Sequence, residues 1–392
     1  MKSDNEENFL ETEEPPGCGR NDDEWADWRW QLRNSITKPD ELSEVFEFSP
    51  VELENLKKTV LKYPYGITPY YFSLIDRHDP RDPVRLQCLP SQEEDNLYFD
   101  AQEDPLGEEH DSVLPGLVHR YPDRALLTLT NMCPVYCRHC SRKREWQKGK
   151  WARSEFELQN IYGYISAHTE LRHIIISGGD PFIFSTQKIE SVLKSIRQIR
   201  HVEIIRIGTR CPVVLPQRID DELVSVLKKY RPIWLNTHFN HSNEITPESS
   251  MACDRLVCAG IPVNNQTVLL KGINDDVGTM TKLCQGLLKI NVRPYYLFQC
   301  DPVSGTGHLR TSIDKGLEII KGMRGFTSGL AVPTFVVDGL GGQGKVPLQS
   351  PEYLVALDKN YAVLKGYKGE VFRYYNPEGR KNENRHNLQS KR

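Results

Sequence analysis

From Arg124 onward, short β-branched apolar runs alternate with amphipathic stretches, and nothing else in the 392-residue chain constrains its fold as strongly. RALLTLT, HIIISGGD, VEIIRIGTR, PIWLNTHFN, PVNNQTVLL, RPYYLFQCD and PTFVVD read as strands. FELQNIYGYISAH, KIESVLKSIRQI, DDELVSVLKKY, MACDRLVCAG, TKLCQGLLKI and KGLEIIKGMRG lie between them with helical spacing. Apolar runs of about six residues separated by helices of about 10 to 15 suit a parallel sheet with crossover helices, whose strands are covered on both faces. No break in composition interrupts the series, so it predicts an α/β fold, a partial (incomplete) parallel β/α barrel rather than a two-domain doubly wound sheet. The polar residues of these strands collect at their C-terminal ends: Asp180, Thr209, Arg210, Asn236, His238, Gln266, Asp301 and Asp338. Each alone reads as a cap or turn residue. Repeated over six strands, the habit predicts one pocket at the barrel face that carries active sites.

Upstream, residues 1–24 form an acidic arm with too few apolar residues to fold alone. Residues 25–120 have helical periodicity from WADWRWQLRNSI through ELENLKKTVLKYP, then the proline-rich DRHDPRDPVRLQCLPSQEED. The tryptophans Trp25, Trp28 and Trp30 stand at helical spacing and read as packing. The barrel core is expected over 121–340, a glycine loop and C-terminal segment over 341–377, and a polar tail over 378–392. A net charge of -3 supplies no basic field for nucleic acid or an anionic membrane. No apolar run approaches the roughly 18 to 20 residues that span a bilayer, and MKSDNEENFLETEE lacks the order of a signal peptide, so a cytoplasmic protein is expected.

Ten cysteines in a reducing compartment call for burial, metal or chemistry rather than disulfides. Cys18, Cys88, Cys211, Cys253, Cys258, Cys284 and Cys300 are scattered and read as small buried hydrophobes. Cys133, Cys137 and Cys140 fall within NMCPVYCRHCSRKR. A zinc knuckle needs four ligands, and no second cysteine pair exists; His139 sits directly between two of the cysteines in sequence, where it could hardly reach the same ion. Three thiolates suit a cubane iron-sulfur cluster that keeps one iron open for chemistry. The spacing C-x3-C-x2-C, with an aromatic residue before the last cysteine, resembles the signature of the radical S-adenosylmethionine (SAM) superfamily.

GLGGQGKVPLQSP follows the last strand and matches G-x-G-x-x-G and G-x4-G-K by letter. Both phosphate-binding readings require the loop to open a helix, which Pro347 and Pro351 oppose, and Val346 stands where magnesium would need Ser or Thr. What remains is Lys345 on a glycine loop at the barrel mouth, either a Schiff-base lysine or a simple turn residue.

Beyond these motifs, DWRWQLRNSI, ITPYYFSLID, PGLVHRYPDRALL, CPVYCRHCSRKR, SGGDP, IGTRCPVVLPQRI, WLNTHFNHSNEIT, RPYYLFQCD, FTSGLAVPTFVVD and GGQGK together resemble the lysine 2,3-aminomutase family. The resemblance implies a [4Fe-4S] cluster on Cys133, Cys137 and Cys140 and SAM contacts at Ser177, Gly178, Gly179, Asp180, Thr209, His238 and Gln266. It implies pyridoxal 5′-phosphate (PLP) on Lys345 with Arg120, Tyr121 and Arg124 near its phosphate, and substrate held by Arg142, Asp301 and Asp338. The implied reaction converts L-lysine to L-β-lysine, by hydrogen abstraction with a 5′-deoxyadenosyl radical and 1,2-migration of the imine nitrogen. Asp301 and Asp338 end consecutive strands, and two carboxylates in a desolvated site favour one cation, hence lysine over arginine, glutamate or a protein-bound lysine. A non-catalytic iron-sulfur sensing module stays open as an alternative. An electron donor such as flavodoxin or ferredoxin and a homo-oligomer are also implied. Family members often carry a zinc-binding cysteine cluster near the C-terminus; this chain has no cysteine after Cys300, so structural zinc is not expected.

Overall fold

The computed structural model describes residues 22–348 and 353–375. Ten strands form one sheet and stand in it in chain order. They are β1 (Ser112–Leu114), β2 (Leu117–Tyr121), β3 (Arg124–Thr128), β4 (His173–Ser177), β5 (Ile204–Gly208), β6 (Ile233–Thr237), β7 (Val263–Leu269), β8 (Arg293–Gln299), β9 (Thr334–Gly339) and β10 (Gly344–Pro347). β3 to β9 are parallel, and they are the seven apolar runs of the sequence. Consecutive strand order with right-handed crossovers sends every helix to the same face, so the sheet curls into a partial barrel instead of taking helices on both faces. The main crossover helices begin on a Ser, Thr or Asp whose side chain accepts a backbone N–H of the first turn: Ser154, Ser185, Asp220, Thr246, Asp276 and Ser312.

Register and alternation then separate core from site. Leu127 pairs with Ile176, Ile176 with Ile207 and Ile207 with Leu235, and all four are buried. Each such side chain contributes about 1.5–3 kcal/mol by leaving water. The alternate residues Arg124, Thr128, His173, Ser177, Arg206 and Gly208 are only half-buried, which marks the concave face as the lined interior of the barrel.

Several details differ from expectation. The first helix, Asp22–Ala26, starts within the last three residues of the segment expected to be an arm and runs into the helical region. The N-terminal region is not helical throughout: β1 and β2 close it as an antiparallel extension of the sheet, turning at the Pro115-Gly116 pair. Cys258 is exposed rather than buried, because it ends the helix Pro247–Cys258 on its solvent side, whereas Cys88, Cys211, Cys253, Cys284 and Cys300 are buried. The glycine loop is short; Lys345 stands on β10, antiparallel to β9. Residues 354–375 add a separate antiparallel sheet of β11 (Leu354–Leu357), β12 (Tyr361–Lys365) and β13 (Val371–Tyr375). Cys18 and the polar tail lie outside the described residues.

Candidate active site

The cysteine loop leaves β3 and is braced from beneath by the Ser177–Asp180 turn. Gly178 has φ +121°, and a Cβ on Gly179 would come within 2.2 Å of the Met132 carbonyl, so only glycine permits this approach. The Asp180 N–H donates to the Met132 carbonyl at 2.8 Å, and the Gly179 N–H to that of Thr130. Cys133 and Cys140 border a cavity of about 190 Å³ together with Gly178, Gly179 and Arg142. Burial, then the neighbouring Cys140, raises the Cys133 thiol well above its ordinary range; burial and Cys137 push Cys140 up to about 11. Thiols crowded in this way ionise when a metal takes the proton's place. Among the described residues no three His, Cys, Asp or Glu side chains gather as one metal ion would require. A cubane, whose ligands bind separate irons, asks for a wider spread. The donor set therefore fits a cluster with three protein ligands.

Asp180 and Thr209 are tied to each other: the carboxylate accepts the Thr209 hydroxyl at 2.7 Å and the N–H groups of Phe182 and Arg210 at 3.0 and 2.7 Å. His238 is half-buried, and desolvation followed by the Arg210 charge brings its imidazole down to about 4, which favours the neutral ring. Gln266 is half-buried on β7.

Arg142 presents only part of its fork. Glu108 takes one edge, with Nη2 to Oε1 at 2.6 Å and Nε to Oε2 at 2.9 Å, while Nη1 points to the Gly178 carbonyl at 3.3 Å. Burial would raise the Glu108 carboxyl, but Arg142 and Arg144 hold it at about 2. The sequence did not single out Glu108, since GEEHD looks like any solvated acidic run.

At the other side of the mouth, Lys345 is paired in register with Asp338. Its Nζ donates to both Asp338 oxygens, at 2.7 and 3.0 Å, and stands 4.6 Å from the Phe298 ring centre. Burial, then the Asp338 charge, pushes Asp301 up to about 7. Two half-buried carboxylates and an exposed lysine ammonium thus share one corner of the mouth. Of the expected phosphate contacts, Arg120 is spent on Asp111 (2.5 Å) and the Leu106 carbonyl. Arg124 lies 3.7 Å over the Tyr121 ring. Arg206, which the sequence reading passed over, points into the same interior with Arg124, Tyr295 and Tyr296, and makes no hydrogen bond or ion pair among the described residues. A cation in the middle of an apolar strand was the available signal for it.

A partial barrel with a three-cysteine loop above its C-terminal face defines a radical SAM enzyme, and the radical SAM superfamily family model matches residues 127–284. A second, lysine-2,3-aminomutase, matches residues 320–391. The L-lysine 2,3-aminomutase of Acetoanaerobium sticklandii is 49% identical over 91% of this chain and 86% of its own, and that of Clostridium subterminale 48% over 91% and 85%. The glutamate 2,3-aminomutase of Clostridioides difficile is 43% identical over 90% and 83%. The chain belongs to the lysine 2,3-aminomutase family.

Proposed function

We propose that the protein isomerises L-lysine to L-β-lysine, moving the α-amino group to C3. When bound, the [4Fe-4S] cluster, SAM and PLP supply radical initiation and a π-system that carries the migrating nitrogen. Cys133, Cys137 and Cys140 would hold the cluster; the Ser177–Asp180 turn, Thr209, His238 and Gln266 would line the SAM site. Lys345 would carry PLP, with Arg124 and Arg206 as the cations for its phosphate beside Tyr121 and Arg120. The open end of Arg142 would take the substrate carboxylate, with Glu108 fixing the guanidinium.

The observation that carries the choice of substrate is the corner formed by Asp301, Asp338 and the Lys345 ammonium. A site that already accommodates one lysine ammonium against two carboxylates is built for the ε-ammonium of another. Glutamate would place a third carboxylate there, unpaired. The test is an anaerobic assay of the reconstituted protein with SAM, PLP and a reductant on lysine, arginine and glutamate. β-Lysine from lysine alone is the expected result; faster turnover of glutamate would overturn the choice.

Initiation consumes one electron, so a donor of the flavodoxin or ferredoxin kind belongs to this reading. So does a homo-oligomer. Every residue of β11 and β13 is exposed, including Leu354, Leu357, Val371, Phe372 and Tyr374, so both faces of this sheet offer apolar surface that a second copy can cover. Sedimentation showing only monomer at micromolar concentration would remove the oligomer.

A further inference from the structure

Arg210, just past the end of β5, is buried and its guanidinium is bound on every side. Nη1 lies 2.7 Å from the Cys137 sulfur; Nη2 donates to Gln87 at 2.6 Å, Glu244 at 2.7 Å and the Tyr71 hydroxyl at 3.1 Å; Nε donates to the His238 carbonyl at 3.0 Å. Its backbone N–H is held by Asp180. Glu244 is pinned as firmly, accepting the N–H groups of Asn240 and His241 at 2.6 and 2.9 Å and the Tyr71 hydroxyl at 2.6 Å. Neither charge can swing away. The Cys140 sulfur, by contrast, accepts only the Arg142 backbone N–H among the described residues, at 3.4 Å.

We propose that Arg210 is a positioning residue that donates a hydrogen bond to the Cys137 sulfur and thereby sets the reduction potential of the cluster. The inference rests on Cys137 being a cluster ligand. Reduction brings one electron from the external donor to the cluster, and no bond forms or breaks at Arg210. The added negative charge spreads onto the sulfurs, so a fixed cationic donor stabilises the reduced cluster more than the oxidised one and raises the potential. Burial enlarges the effect, because little water screens it. Glu244 works against it by neutralising part of the arginine charge, so the pair fixes the value. Gln87 and Tyr71 come from the N-terminal region, which gives that extension a direct hold on the redox centre.

The test is a redox titration of the full-length, anaerobically reconstituted protein without SAM, followed by electron paramagnetic resonance, with iron and sulfide assayed beside it. Arg210→Met combined with Glu244→Gln removes both charges, so neither is left buried without its counter-charge. It is expected to make reduction about tenfold less favourable, which lowers the midpoint by about 59 mV. Glu244→Gln alone leaves the arginine charge unopposed and is expected to raise the midpoint. A general loosening of the loop would not give shifts of opposite sign. An unmoved midpoint in the double variant, or shifts of the same sign in both, overturns the proposal. If the double variant takes up no cluster, Glu244→Gln decides: a rise supports the proposal, and a fall or no change overturns it. A wild-type chain that takes up no cluster sinks the ligand reading itself, whereas a loaded cluster with an unmoved potential sinks only the role of Arg210.

Discussion

Lys345→Ala is expected to slow lysine turnover on the order of 10⁴-fold and to abolish covalent capture of PLP, because removing the group that makes the covalent bond removes a step no neighbour can repeat. Iron uptake should be unchanged, since the cysteine loop is braced by the Ser177–Asp180 turn and not by β10. Borohydride treatment followed by mass spectrometry should find a pyridoxyl group on the wild-type peptide and none on the variant; a labelled variant would assign PLP to another lysine. The substitution should also change stability with pH. Asp301, pushed up to about 7 from an ordinary 3.8, keeps a proton in the folded state that the unfolded chain has released. Stability is therefore lost as pH rises through that window. Lys345 tempers this because its cation, bonded to Asp338, also lowers the Asp301 carboxyl through space. Without it the alkaline loss should be larger, visible as a wider gap in melting temperature between pH 5 and pH 8 than in the wild-type protein.

The fold was legible because its strongest signals are local and repetitive. Seven buried strands announce themselves as β-branched runs, and their helices start on Ser, Thr or Asp. What lacked such a signal went unseen. β1 is a short edge strand, and β2, which joins it to the sheet, depends on β3 being there to receive it; the β11–β13 sheet has no alternation to read, since every residue of β11 and β13 is exposed. The site divides in the same way. Cys133, Cys137, Cys140 and Lys345 stand in motifs whose spacing is itself chemical. Glu108, Arg206, Arg210 and Glu244 act through partners distant in sequence: Arg210 meets Gln87 across 123 residues and Cys137 across 73. Such contacts exist only after the barrel closes around them. Asp180 shows the converse, a residue legible as a site position whose carboxylate proves to be a clip between β4 and β5.

Asp338→Asn is expected to lower kcat/KM for lysine on the order of 10³-fold. A bound substrate would cover this pair, and removing one partner of a covered ion pair costs about 3–5 kcal/mol, while each 1.36 kcal/mol is tenfold in rate. The loss should be specific to a substrate bearing a terminal ammonium, so any residual turnover of an uncharged analogue such as norleucine should fall far less. Asp301 gives this binding its pH dependence. With its carboxyl near 7, an acidic medium leaves it neutral and a basic one leaves it charged, so KM for lysine should fall as pH rises through about 7. Once Lys345 carries PLP its cation is withdrawn from Asp338, which moves the Asp301 transition upward rather than downward. Asp301→Asn should flatten this limb and leave KM high at every pH. If the variant kept the wild-type fall of KM with pH, the titrating group would have to be another residue, and the two-carboxylate account of lysine recognition would fail.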